Sequence, residues 1–164
     1  MSLLGKLKAL LRGGGGDRPA GPSSDGPWTV GKIERDGVLH GLVRVRTERP
    51  TAPAARRFAS TVTVEWAYAE DGLPSEAQVA AMGRFESLLE ELEGQHELAF
   101  LVRVRTGFGN REWLFYAAER DRFLARLNAL LAGHPAYPIE VFSAEDSEWH
   151  EWKSTMSELG VLNR

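Results

Sequence analysis

The sequence contains no cysteine, so it can build neither a disulfide framework nor a thiolate metal site. Nothing in it asks for an oxidising compartment, and the cytoplasm is the default location. It also lacks any apolar run long enough to cross a bilayer, and charges interrupt every candidate core of a secretory signal. The four histidines, His40, His96, His134 and His150, are scattered, with no pair at the i, i+4 spacing of a helical zinc site. Neither a Gly-x-Ser-x-Gly nucleophile elbow nor a Gly-x-x-x-x-Gly-Lys-Ser/Thr phosphate loop occurs. No metal, no cofactor and no catalytic residue is expected from these patterns.

A strong charge excess is missing too. The net charge is −3, and it is unevenly placed. Residues 1–27 hold four cations (Lys6, Lys8, Arg12, Arg18) against two anions (Asp17, Asp25), which leaves 16 cations and 21 anions for the rest. A net-acidic body disfavours a broad nucleic-acid surface, because neutralising phosphates supplies most non-specific binding.

What is present reads as one globular domain behind a leader. The 164 residues, 43% hydrophobic and 26% charged, suit a single core. Over residues 1–12, Leu3, Leu4, Leu7, Leu10 and Leu11 fall on one helical face, flanked by Lys6, Lys8 and Arg12. Residues 13–27 open with Gly13 to Gly16 and continue rich in Gly, Pro, Ser and Asp, the composition of a flexible linker. The leader suits weak contact with a membrane surface, a partner groove or its own domain.

Residues 28–164 are expected to form a single α+β domain, with a hairpin extension over 28–57 and a core over 58–157. Asp36-Gly37 joins two strand patterns, 28–33 and 38–47. Residues 50–53 break the chain before a long strand over 58–69, where Phe58, Val62, Val64, Trp66 and Tyr68 mark the buried face. Ser75 with Gln78 has capping-box spacing, and Val79, Met82, Phe85, Leu88, Leu89 and Leu92 carry a helical stripe to Gly94. The intervening Glu86, Glu90, Glu91 and Glu93 read as its solvated face. Residues 96–106 alternate through Leu98, Phe100, Val102 and Val104, and 111–118 follow as the second arm of a hairpin. A helix through Phe123, Leu127 and Leu131 ends near Gly133, followed by a strand over 137–143. A last helix through Trp149, Trp152 and Met156 starts at a cap formed by Ser143 with Asp146. From residue 58 the order is strand, helix, strand, strand, helix, strand. That is the ferredoxin-like split βαβ order, an antiparallel sheet with two helices on one face. The hairpin either extends an edge or covers the other face.

Two stretches invite a functional reading. Val43-Arg44-Val45-Arg46-Thr47 recurs as Val102-Arg103-Val104-Arg105-Thr106, a repeat by which two strands would each put two arginines on an exposed sheet face. RNA binding through them would need aromatic platforms, and Thr63, Glu65, Glu112 and Glu140 occupy most of the matching positions, beside Tyr116 and Phe142. Cross-strand Arg–Glu pairing is the favoured account. In the second stretch, Trp149 and His150 stand in a run of acids, suiting either a recognition patch or a helix that covers the sheet. The residues assigned to a ligand or partner site are Arg111, Glu112, Trp113, Tyr116, Trp149 and His150; an arginine and a carboxylate among aromatics can grip a polar ligand.

Trp66 and Tyr68, Gly72-Leu73-Pro74, Gly107 through Arg111-Glu112-Trp113 to Phe115-Tyr116, Tyr137-Pro138-Ile139-Glu140, and Asp146 with Glu148-Trp149 together resemble the bacterial family domain of unknown function 695 over residues 58–156. That family carries no assigned activity, so the resemblance implies a fold rather than a reaction. A looser similarity, at the level of fold, is to the regulator of ribonuclease activity B family, small acidic proteins that bind an enzyme. The leading expectation is a non-enzymatic, cytoplasmic module that binds another protein as a regulator, with a homodimer also open; the alternatives are a small-ligand binder or enzyme around Arg111, Glu112 and Trp113, and RNA binding through the arginine strands.

Overall fold

A computed structural model describes residues 27–48, 51–68, 71–93 and 98–160. The expected leader and almost all of the linker, Pro50, Gly94 as a helix end and His96 lie outside the described residues. Strands β1 (Trp28–Arg35) and β2 (Val38–Arg46) form the expected hairpin. Asp36 and Gly37 both take positive φ, 53° and 76°, the geometry of a two-residue turn whose twist matches that of the strands. A short helix, α1 (Ala52–Arg57), then appears where only a break was expected. Thr51 caps it by accepting the Ala54 N–H, and Pro53 sits in its first turn, where a missing N–H costs nothing.

The remaining elements are β3 (Ser60–Ala67), α2 (Glu76–Glu93), β4 (Ala99–Gly107), β5 (Asn110–Ala117), α3 (Arg120–Leu131), β6 (Ile139–Glu145) and α4 (His150–Glu158). Together they make an α+β fold with a six-stranded, open, antiparallel sheet in the order β1-β2-β4-β5-β3-β6. The hairpin extends the sheet beyond β4. Ser75 and Gln78 form the capping box reciprocally: the Ser75 N–H donates to Gln78 Oε1 at 2.7 Å, and the Gln78 N–H donates to Ser75 Oγ at 3.3 Å.

Alternation along the strands sends side chains to two cores. On one face Val62, Val64, Trp66, Trp113 and Phe115 pack with Val79, Met82, Phe85 and Leu89 of α2 and Phe123 and Leu127 of α3. On the other, Val45, Leu114 and Tyr116 pack with Phe58, Trp149, Trp152 and Met156. The expected single face through Leu98, Phe100, Val102 and Val104 needs correction. A bulge between Leu101 and Arg103 breaks the alternation, so Leu98, Leu101 and Val104 join the first core while Val102 joins the second. Where β2 meets β4, Gly41 faces Gly107. A Cβ on Gly107 would lie 2.4 Å from the His40 carbonyl oxygen and 2.6 Å from Gly41 Cα, so only glycine allows that approach.

Candidate functional site

The two arginine pairs do not share a face. Arg44 and Arg46 stand on the α2/α3 side, whereas Arg103 and Arg105 stand on the α4 side, because Arg44 is registered opposite Val104 and Val45 opposite Arg103. Nor are they open to solvent, since Arg44, Arg46 and Arg103 are buried. The expectation of one exposed arginine face is thereby corrected.

Beneath α2 the sheet buries a charged hub. Glu86 lies beside Phe85, on the margin of the helical stripe, and is buried rather than solvated as expected. Arg44 donates to Glu86 Oε1 at 3.0 Å, Arg111 donates to Glu86 Oε2, and the Trp113 indole N–H donates to the same oxygen at 3.0 Å. Arg111, fully buried, also donates to Thr106 Oγ1 at 2.9 Å. Burial pushes the Glu86 carboxyl upward, but Arg111 and Arg44 outweigh it and hold the group below its ordinary range. Further along the same strand and helix, Arg46 pairs with Glu93, and Arg44 and Arg46 both lie over the Trp28 ring, 4.5 and 4.7 Å from its centre.

On the opposite face, Arg103 contacts Glu112 at 3.5 Å and donates to Glu151 and Thr155 of α4 at 3.0 and 2.9 Å. The expected pairing of Arg with Glu across strands is present in the contact of Arg103 with Glu112. Arg105 reaches Glu158 at 3.3 Å. At the start of α4, Asp146 accepts the backbone N–H groups of His150 and Glu151 at 2.8 and 3.0 Å and the Tyr116 hydroxyl at 2.5 Å. Ser143, expected to share this cap, lies within β6 instead, and Asp146 does the work. Burial raises the Asp146 carboxyl, but the donors from Tyr116, Glu151 and His150 together lower it below its usual range. Burial, then Asp146, pushes the Tyr116 phenol far above its ordinary range, so it stays a proton donor. Trp149 stacks on Tyr116 at 3.9 Å and donates to the Phe58 carbonyl; Trp152 donates to the Arg46 carbonyl. Both indoles hold α4 on the sheet, as the covering-helix reading of this stretch required.

The sheet therefore divides the six residues singled out from sequence. Arg111 and Trp113 turn into the hub under α2. Glu112, Tyr116, Trp149 and His150 lie on the α4 side, where Tyr116 and Trp149 are buried and only Glu112 and His150 reach the surface. The sequence reading missed Glu86, which looked like one of a row of surface acids, and Asp146 as the central acceptor of the cap. It did group Thr63, Glu65, Glu112, Glu140 and Phe142 at matching positions on neighbouring strands, and they share the face beside α4. There Glu112, Glu65 and Glu140 stand side by side on β5, β3 and β6, with Thr63 and Phe142 in the next row. Phe142 is 50% exposed. Burial, then the charges of Glu112 and Glu140, raise the Glu65 carboxyl above its usual value. Strand β6 is an edge, with β3 on one side only.

These features define an α+β domain in which one buried and one partly exposed ion-pair network clamp helices to either side of an open antiparallel sheet. The chain belongs to the family of unknown function DUF695, whose sequence model matches residues 28–157. The match starts at Trp28, so the hairpin, placed outside the resemblance on sequence grounds, falls within the family region. No curated protein and no solved structure matches the chain. Among the described residues, no group of three or more His, Asp or Glu side chains is arranged to hold a metal ion, and no helix is long and apolar enough to cross a membrane.

Proposed function

We propose that this chain is a non-enzymatic protein-binding module of ferredoxin-like type, extended by the β1–β2 hairpin, and that it binds basic, apolar peptide segments on the open face beside α4. The strand order β6-β3-β5-β4, with α2 and α3 on one side, supports the fold reading. The observation that carries the functional reading is the pair Glu65 and Glu140 next to exposed Phe142 on an edge strand, with Glu112, itself paired with Arg103, at the end of the row. An aromatic side chain beside a row of carboxylates offers one apolar anchor and a field that attracts cations, and a cation brought to this row offsets part of what burial, then the charges of Glu112 and Glu140, do to raise Glu65. By contrast, the buried arginines already have carboxylate partners inside the fold. A cytoplasmic location goes with this reading, supported by the absence of cysteine.

The test is an NMR titration of the isotopically labelled full chain with a synthetic amphipathic leucine–lysine peptide. Saturable shifts are expected at Thr63, Glu65, Glu112, Glu140 and Phe142, weakening with salt, and lost in Phe142→Asp. A peptide that shifts no signal, or shifts signals equally in Phe142→Asp, sinks the reading.

A further inference from the structure

The two border strands of the sheet are built differently. Among the described residues β1 has a neighbour only in β2, and β6 only in β3. Strand β1 is guarded: its register with β2 shifts between Ile33 and Glu34, and Lys32 and Glu34 stand on it as an exposed ion pair. Strand β6 has neither device. Its register with β3 runs unbroken from Ile139 to Glu145, it carries no lysine or arginine, and every residue from Glu140 to Glu145 is exposed. Val141 and Phe142, 38% and 50% exposed, point to opposite faces of the sheet.

The backbone bonding groups of β6 have a definite direction. The Asp146 N–H donates to the Ala59 carbonyl at 2.7 Å, and on the other side of β3 the Tyr68 N–H donates to the Gly109 carbonyl at 2.8 Å. In an antiparallel ladder such bonds belong to alternate residues. Glu140, Phe142 and Ala144 therefore turn their N–H and C=O groups toward β3, whereas Ile139, Val141, Ser143 and Glu145 turn theirs outward. The Ile139 N–H already donates to the Tyr137 carbonyl. Those of Val141, Ser143 and Glu145 face the open edge.

We infer that this edge pairs with β6 of a second copy of the chain, antiparallel about a two-fold axis at Phe142, so that two sheets join into one. Hydrogen bonding selects the arrangement first. With Phe142 opposite its own copy, Val141 faces Ser143 and Ile139 faces Glu145 of the second chain, and the outward N–H groups of Val141, Ser143 and Glu145 each meet an outward carbonyl. Charge agrees with it: Glu140 meets Ala144, so no two carboxylates are directly opposed. Moving the axis to Val141 sets Glu145 opposite Tyr137, outside β6, whose carbonyl already serves Ile139. Moving it to Ser143 sets Glu140 opposite Asp146. Burial agrees as well. The two half-exposed Phe142 rings come together as a non-hydrogen-bonded pair, the position where side chains lie closest, and Val141 is covered on the other face. Pairing of β6 with β1 of another copy is disfavoured by the register shift and charges of β1, and it would run on without closing.

The inference goes beyond the peptide-binding reading, because it uses the edge of β6 and not the carboxylates beside it. Each chain carries a net charge of −3, so salt should strengthen the dimer, whereas it weakens the binding of a basic peptide. Sedimentation equilibrium of the full chain is expected to show a reversible monomer–dimer equilibrium that tightens with salt. Ser143→Pro removes an outward N–H and keeps the bonds to β3, a change an edge strand tolerates. It is expected to weaken the dimer about tenfold or more while the NMR spectrum of the monomer is retained. The chain has no cysteine, so single cysteines report the register. Under oxidation Phe142→Cys should yield a disulfide-linked dimer, since residues opposed in a non-hydrogen-bonded pair lie about 4.5 Å apart at Cα. Val141→Cys and Ser143→Cys, each diagonal to its own copy at about 7–8 Å, should not.

A chain that stays monomeric up to about 1 mM overturns the inference, because a contact weaker than that is no specific dimer. A folded Ser143→Pro that dimerises as well as the unaltered chain overturns it in favour of another surface. Where Ser143→Pro does not fold, the cross-linking pattern decides. Cross-linking that is strongest at Val141→Cys or Ser143→Cys, or absent at Phe142→Cys, overturns the pairing about Phe142. A dimer that salt dissolves overturns it in favour of contact between charges. Assemblies that grow past the dimer with concentration overturn it in favour of open-ended pairing through β1.

Discussion

On the α2/α3 face a single buried carboxylate, Glu86, serves two arginines and an indole, whereas on the α4 face charge is spread over Arg103, Arg105, Asp146 and glutamates that reach the surface. The first arrangement is dry and centred; the second is wet and divided. A buried ion network is costly to break because each orphaned charge keeps its desolvation penalty, while an exposed pair loses little when broken. The two faces should therefore differ sharply in how they respond to the loss of one group.

The largest effect is expected at the hub. Glu86→Leu should destabilise the fold by about 3–5 kcal/mol, because it strands Arg111 and Arg44 in the interior. Adding Arg44→Met and Arg111→Met should recover most of that loss, as measured by urea unfolding. A triple variant no more stable than Glu86→Leu would show that shape, not stranded charge, sets the cost. Next comes the cap: Asp146→Ala should cost about 2–3 kcal/mol, and Tyr116→Phe about 1–2, since a hydrogen bond to a charged group and a helix cap are lost together in the first and only the bond in the second.

Acid should separate individual carboxylates by sign, even within the α4 face. Asp146 and Glu86 have lowered carboxyl values, so the stability they contribute is present above the ordinary carboxylate range, about 4, and is lost as pH falls through their folded values. Glu65 is raised, so its contribution is present below its unfolded value and is lost as pH rises through its folded one. Stability against pH measured for Asp146→Asn and for Glu65→Gln should therefore differ from the unaltered chain in opposite directions across that range. Curves displaced in the same direction would contradict the assignment. The smallest effect belongs to Arg105→Ala, expected below about 1 kcal/mol because its partner Glu158 is 61% exposed.

Features carried by neighbouring residues were legible in the sequence. The Asp36-Gly37 turn and the box of Ser75 with Gln78 each depend on groups within a few positions, and each took the expected form. The order of strands and helices from residue 58 was readable for the same reason. The hub was not. Glu86 sits in a run of helix acids that all satisfy the pattern of a solvated face, and only Arg44 and Arg111, 42 and 25 positions away, draw it inward. The bulge at Val102 escaped because simple alternation was assumed through it, and that assumption also hid how the two arginine repeats come to face opposite ways. Helix α1 did carry a local signal, Thr51 as cap with Pro53 behind it, which was overshadowed by the prolines read as a break. Of the candidate site, Trp149 and Tyr116 were recognised as important side chains, but their burial depends on Phe58, distant in the chain.

The position of β3 between β5 and β6 also bears on how the molecule assembles in time. The hairpins β1–β2 and β4–β5 close over a few residues, but β3 must wait for β6, with Ser60 bonding Glu145 across 85 positions of chain. Closing so long a loop delays the reward of contact, so β6 should zip up last. Pulse-labelled hydrogen exchange during refolding should find β4–β5 amides protected before those of β3 and β6; simultaneous protection would contradict this order. Until β6 arrives, the flank of β3 is a bare template for another chain, which makes the final zipping step the one most exposed to aggregation.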